Sequence, residues 1–223
     1  MSINTKKYQE ILSEINGKAT LVAVSKTKSI EDIQALYDLG HRDFGENYVQ
    51  ELTEKYEQLP KDIHWHYIGH LQSNKVKYIA PFIHLIHGAD SLGLLKEINK
   101  QALKNNRTID CMLQVHIAKE ETKFGLDSHE LETILNTNLS ELKNIRICGL
   151  MGMASFSTNM DLVRTEFKHL KGLFDKYAQL QTTNYKPQTL SMGMSADYKI
   201  ALDEGSNMVR IGSLLFGERN YTV

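Results

Sequence analysis

The sequence predicts an α/β protein built as a single (β/α)8 TIM barrel with an extra amino-terminal helix. Eight short apolar runs recur along its 223 residues, most of them separated by amphipathic stretches of helical period. Regular alternation of strand and helix gives an all-parallel sheet with the helices outside. Eight such units in this length fit a closed barrel, slightly small for the fold. An open, doubly wound sheet with fewer strands is the competing arrangement. The first strand lacks a following Gly-rich dinucleotide fingerprint, which weakens that alternative.

The elements follow in order. Tyr8, Ile11, Leu12 and Ile15 fall on one face of an amphipathic amino-terminal helix. Residues 20–25 form the first strand, and Ser29 opens a helix with Asp32 as capping partner. HRDFGE is a short strand and its exit, followed by a helix over 47–58. HWHYIG (64–69) is the third strand, with a short helix over 73–80, and FIHLIHGAD (82–90) is the fourth, with a helix over 91–104 behind Ser91. IDCMLQVHI (109–117) and IRICGLMGM (145–153) are strands five and six, flanking a helix over 128–136. The clearest helix runs from about 161 to 180, with Val163, Phe167, Leu170, Phe174 and Tyr177 at 4-3-4-3 spacing. TLSMGM (189–194), a helix over 196–204 and MVRIG (208–212) complete the pattern.

Composition narrows the function classes. Hydrophobic residues make up 41% and charged residues 24%, the balance of an ordinary soluble domain. A net charge of −1 gives no bulk attraction for nucleic acid. The lysines at 55, 61, 75 and 77 make no continuous basic stripe. Cys111 and Cys148 lie in apolar runs without CxxC spacing and read as reduced, buried thiols of a cytoplasmic protein. The amino terminus lacks the apolar core of a signal peptide, and no stretch reaches the length of a membrane span.

Lys26 carries the most chemistry. It closes the apolar run Leu21-Val22-Ala23-Val24, after Ser25. A lysine at the carboxyl end of a buried strand can lose hydration, which lowers its pKa and frees an amine to attack an aldehyde. The plainer reading is a snorkelling lysine whose stem covers the core. In a barrel of this kind the site lies at the carboxyl ends of the strands. Glu46-Asn47, the segment His70–Lys75, Ser155, Ser195 and Gly212-Ser213 all fall on that rim. The loops after strands seven and eight often bind phosphate through backbone N–H groups. Ser195 is placed to open the helix ADYKIALDEG, Gly212 lets backbone approach an anion, and Ser213 adds a hydroxyl. Taken singly, Ser195 reads equally as a helix cap and Gly212 as a turn glycine. Alternation points Arg210 into the barrel with Gly212, where it serves either a structural ion pair or a ring-nitrogen acceptor.

A lysine nucleophile, a phosphate cradle and an arginine for a ring nitrogen together describe a site for pyridoxal 5′-phosphate. Lys26 would hold its aldehyde as a Schiff base. Arginine stays charged, so Arg210 would keep the pyridine nitrogen unprotonated and the ring a poor electron sink.

Six stretches carry a family resemblance: AVSKTK (23–28), FGENYVQE (44–51), WHYIGHLQSNK (65–75), CGLMGM (148–153), LSMGMSADY (190–198) and VRIGSLLFGER (209–219). They span nearly the whole chain, in order. The chain resembles the pyridoxal phosphate homeostasis protein family, whose barrel is similar to the N-terminal domain of alanine racemase. The resemblance implies that Lys26 is the Schiff-base lysine and that Ser195, Arg210 and Gly212 take the roles argued above. The expected cofactor-binding set is Lys26, Asn47, Ser195, Arg210, Gly212 and Ser213, with no catalytic residue and no metal ligand. HIAKEETKFGLD (116–127) matches the family only loosely, and no cofactor contact is assigned there.

Racemisation of the alanine racemase type needs a second base, a tyrosine from a β-rich domain across a dimer interface. The sequence ends at Val223, soon after the eighth strand, which leaves no room for that domain. The expectation is therefore a single-domain, monomeric carrier over 1–223. It would buffer pyridoxal phosphate and deliver it to apoenzymes that accept the cofactor, without evident catalysis. A small cofactor-dependent amino-acid racemase is the alternative, and a cofactor-free lysine aldolase a third. His64, His66, His84 and His87 lie close in sequence, but no Asp, Glu or Cys set completes a metal site, so they read as structural or surface residues. Met151, Met153, Met192 and Met194 alternate along strands six and seven and read as core packing.

Overall fold

The computed structural model describes residues 3–120, 124–180 and 184–217. Residues 121–123 of HIAKEETKFGLD and residues 218–219 of the last family match lie outside them. Eight parallel strands close a barrel in sequence order: β1 (Thr20–Val24), β2 (Asp43–Glu46), β3 (His64–Tyr67), β4 (Leu85–Ala89), β5 (Ile109–His116), β6 (Ile145–Met153), β7 (Tyr185–Ser191) and β8 (Met208–Ile211). The barrel shuts where β1 pairs with β8, with Val22 opposite Arg210.

The helices are α1 (Thr5–Ile15), α2 (Ile30–Asp38), α3 (Val49–Gln58), α4 (Val76–Ile79), α5 (Leu92–Lys104), α6 (Ser128–Asn136), α7 (Met160–Ala178), α8 (Tyr198–Asp203) and α9 (Ser213–Phe216). Several begin where their cap residues dictate. The Ser29 hydroxyl accepts from Asp32 N at 3.2 Å, Ser91 does the same for Leu94, and Asp127 with Glu130 forms a reciprocal capping box. The helix after β8 is a single turn, and α1 packs against both it and β1. Asn4 N donates to Leu215 O at 2.8 Å. The extra helix thereby covers the seam where the barrel closes, burying Tyr8, Ile11 and Ile15.

Period-two alternation sorts the strand residues into two layers. Leu21, Ala23, Phe44, Trp65, Tyr67, Val209 and Ile211 face outward into the main core beneath the helices. Val22, Leu85, Met112, Met151 and Met208 form a separate cluster inside the barrel. No described helix is long and apolar enough to cross a membrane.

Three expectations are corrected. Strand seven runs over Tyr185–Ser191, earlier than TLSMGM, because Gly193 takes a φ of +94° that ends extended backbone. An alanine Cβ at Gly193 would lie 2.5 Å from that of Ala201. Ser195 does not open the next helix, which starts after Asp197. The Asp197 carboxylate instead accepts from Met194 N at 2.6 Å and folds 194–197 into a turn, leaving Ser195 on the loop. Of the four alternating methionines, Met151 and Met192 are fully buried, whereas Met153 and Met194 are half-buried and line a cavity.

Candidate functional site

The carboxyl ends of β1, β2, β6, β7 and β8 surround a cavity of about 390 Å³, a size suited to a small organic ligand. Lys26, Asn47, Ser195, Arg210, Gly212 and Ser213 all line it. The fold thus brings together all six residues of the expected cofactor-binding set. His70–Lys75 is not part of the wall: His70 pairs with Asp90 at 3.1 Å and stacks on Phe124. Ser155 lines the cavity, but its N–H and hydroxyl both donate to Glu166 at 2.7 Å.

Lys26 sits on a tight turn. Lys28 N donates to Ser25 O at 3.0 Å, and Thr27 occupies the left-handed region at φ 63°. Such a conformation costs a threonine roughly 1 kcal/mol or more and persists only where its surroundings hold it. Two groups do so here. Glu51 accepts from Thr27 N at 2.5 Å, and Lys55 Nζ donates to Ser25 O at 2.8 Å. Lys55 also contacts Glu46 at 2.8 Å and Glu51 at 2.6 Å, while Ser25 Oγ donates to Glu46 at 2.6 Å. Burial pushes the Glu46 carboxyl up to about 7, against the pull of the Lys55 ammonium. This brace was not read from sequence. Its only local trace is the i,i+4 spacing of Glu51 and Lys55, which normally marks a solvated helix face.

Asn47 follows β2 and is fixed through its backbone. Tyr67 Oη donates to Asn47 O at 2.9 Å, and a Cβ on Gly69 would lie 2.5 Å from the same oxygen. Its side-chain Oδ1 is buried with no hydrogen-bond partner among the described residues. A buried acceptor in that state costs about 1–3 kcal/mol, which an occupant bearing a donor would recover.

Arg210 is buried within the barrel, at the base of the cavity. Its guanidinium donates to Ser191 Oγ at 2.6 Å, Ser191 O at 3.0 Å and Gly152 O at 3.0 Å. Neutral acceptors hold the guanidinium directly, and the Asp197 charge acts on it as well. Burial brings its pKa down to about 10, which keeps it charged at neutral pH. At the mouth, Gly212 N donates to Ser195 Oγ at 3.3 Å, bringing the loops after β7 and β8 together.

Beneath Arg210 a polar file descends through the barrel. Ser191 Oγ lies 3.5 Å from His87 Nδ1, His87 Nε2 lies 2.9 Å from His66 Nδ1, and His66 Nε2 lies 3.0 Å from Asp43 Oδ1. Burial lowers the pKa of both imidazoles, so they are neutral at pH 7. The sequence reading found no acidic partner for these histidines. Asp43 is that partner, brought beside them by the parallel pairing of β2 with β3.

Comparison with known proteins agrees with this geometry. Residues 3–220 match the family described as alanine racemase, N-terminal domain. A pyridoxal phosphate homeostasis protein of Aquifex aeolicus is 43% identical over 204 residues, covering 91% of this chain and 88% of that protein. The structure of PipY from Synechococcus elongatus, solved with PLP bound, superposes with a TM-score of 0.87 at 32% identity, covering 95% of this chain and 99% of that one. Alanine racemase from Bartonella henselae shares the fold, with a TM-score of 0.70 at 17% identity, covering 96% of this chain and 59% of that one. With its barrel, its cavity and these likenesses taken together, the chain belongs to the alanine racemase N-terminal domain family, among the pyridoxal phosphate homeostasis proteins.

Proposed function

We propose that this protein binds pyridoxal 5′-phosphate in the 390 Å³ cavity and keeps it available for delivery to apoenzymes, without catalysing a reaction of its own. The convergence of Lys26, Asn47, Ser195, Arg210, Gly212 and Ser213 on one cavity carries this reading. When bound, the cofactor supplies an aldehyde that a lysine amine captures reversibly. Lys26 anchors that end, presented by the turn that Lys55 and Glu51 brace. Ser195, Gly212 and Ser213 would receive the phosphate, and Arg210 would hydrogen-bond the ring nitrogen. The orphaned Asn47 Oδ1 supports a polar occupant beside that wall.

The reading of a carrier rests on the relatives, which are named for homeostasis of the cofactor. The reading extends to a single-domain monomer in the cytoplasm, a compartment that suits the free thiols of Cys111 and Cys148.

The test is spectroscopic. The purified protein is titrated with pyridoxal phosphate, reduced with borohydride, and the adduct mapped by peptide mass. The label is expected on Lys26 and is lost in Lys26→Ala. A label on another lysine overturns the assignment. The carrier role is tested by incubating the loaded protein with alanine in deuterated water. Exchange of the α-proton would replace the carrier with a racemase.

A further inference from the structure

The opposite end of the barrel carries a second cluster of chemically active side chains. Strands β2, β3 and β4 start side by side there, with Asp43 opposite His64 and His66 opposite Leu85. His84 N donates to Trp65 O at 2.9 Å, which sets His84 against β3. The donor atoms of Asp43, His66 and His84 all lie within 4.8 Å of one another. His64 stands beside them, stacked on the His84 ring with centroids 4.5 Å apart and with Nδ1 3.3 Å from Asp43 Oδ1. The strand from Asp43 to Asn47 separates this cluster from the cofactor cavity by about 13 Å.

We propose that Asp43, His66 and His84 form a binding site for a divalent first-row transition ion at the amino-terminal mouth of the barrel. Two imidazoles and one carboxylate suit zinc, cobalt, nickel or copper, whereas calcium and magnesium prefer all-oxygen shells. Three protein ligands leave a coordination position for water or a small ligand. Access is open on the His84 side, because His84 is exposed and lines a separate cavity of about 280 Å³.

The surroundings of His66 are those of an oriented ligand. Its Nε2 faces Asp43, and its Nδ1 faces His87 Nε2 at 2.9 Å. A hydrogen bond on the far ring nitrogen fixes the tautomer and orientation of a metal-bound histidine. In the empty site, His66 donates from Nε2 to Asp43 and accepts from His87. Ion entry takes the Nε2 lone pair, so the His66 proton resides on Nδ1 and is donated to His87 Nε2. His87 in turn carries its single proton on Nδ1, toward Ser191 Oγ. Both rings stay neutral, and no proton is gained or lost.

The experiment uses full-length, tag-free protein, stripped with a chelator and free of pyridoxal phosphate, so its result is independent of the cofactor reading. Zinc chloride is titrated by calorimetry and cobalt chloride by visible absorption. One ion per chain is expected, with a cobalt band of the intensity that low-coordinate cobalt gives. His84→Ala and Asp43→Asn, each checked for unchanged thermal unfolding, are expected to lose about tenfold or more in affinity. His84 is exposed, so its removal leaves the core intact. Absence of binding, or an unchanged affinity in either variant, would show a hydrogen-bonded cluster only and overturn the proposal.

Discussion

The ammonium of Lys55 on α3 donates to the carbonyl of Ser25, the residue before Lys26, at 2.8 Å. The same ammonium is held by Glu46 on β2, and both side chains are almost completely buried. A buried ion pair beneath the barrel's helical layer therefore sets the turn that presents Lys26 to the cavity. Lys55→Met removes the cation and leaves the Glu46 carboxylate buried beside an unsatisfied carbonyl. At pH 8, where Glu46 is largely ionised, the loss is expected to be about 3–5 kcal/mol in denaturant unfolding. Pairing it with Glu46→Gln is expected to restore part of that loss.

The pH dependence of stability has a definite sign at this pair. The folded-state pKa of Glu46 is raised from 4.5 to about 7, with burial as the leading cause. The folded protein thus binds a proton that the unfolded chain has already released. The contribution of this group is most favourable below about 4.5, falls as pH rises to about 7, and is flat above that. The decline is on the order of 3 kcal/mol. Unfolding curves collected between pH 5 and pH 8 are expected to show it in the wild type. Glu46→Gln is expected to flatten that portion of the profile.

Gly193 separates β7 from the Ser195 loop at a φ of +94°. Gly193→Ala sets a Cβ 2.5 Å from that of Ala201 and 2.9 Å from Tyr198 Cα, in a backbone region hostile to side chains. The expected cost is about 3 kcal/mol. Pyridoxal phosphate titration is expected to weaken as well, because the displaced loop carries Ser195.

Arg210 joins the ends of β6 and β7 by donating to Gly152 O, Ser191 O and Ser191 Oγ. A lysine has one nitrogen and cannot reproduce that fork. Arg210→Lys is expected to destabilise the fold by about 2 kcal/mol, because at least one buried acceptor is left unmade. Cofactor affinity is expected to fall with it. Chemical denaturation and absorbance titration report the two effects separately.

The sequence by itself determined the periodic features. Eight apolar runs and the helices between them are local patterns, and their alternation points to the barrel that the strands close. The six cavity residues were legible for the same reason: each stands at or just beyond a strand's carboxyl end, and the barrel gathers those ends into one ring. Tertiary structure alone decided the rest. Ser195 was read as a helix cap from its position, but Asp197 closes that turn and frees Ser195 to meet Gly212. The Lys55–Glu46–Ser25 brace joins residues 30 and 21 positions apart. Asp43 meets His66 from 23 positions away, across strands whose register no local pattern states. Period and capping are written in neighbouring residues. Which buried charge answers which is settled only when packing removes water and leaves each polar group to find a partner.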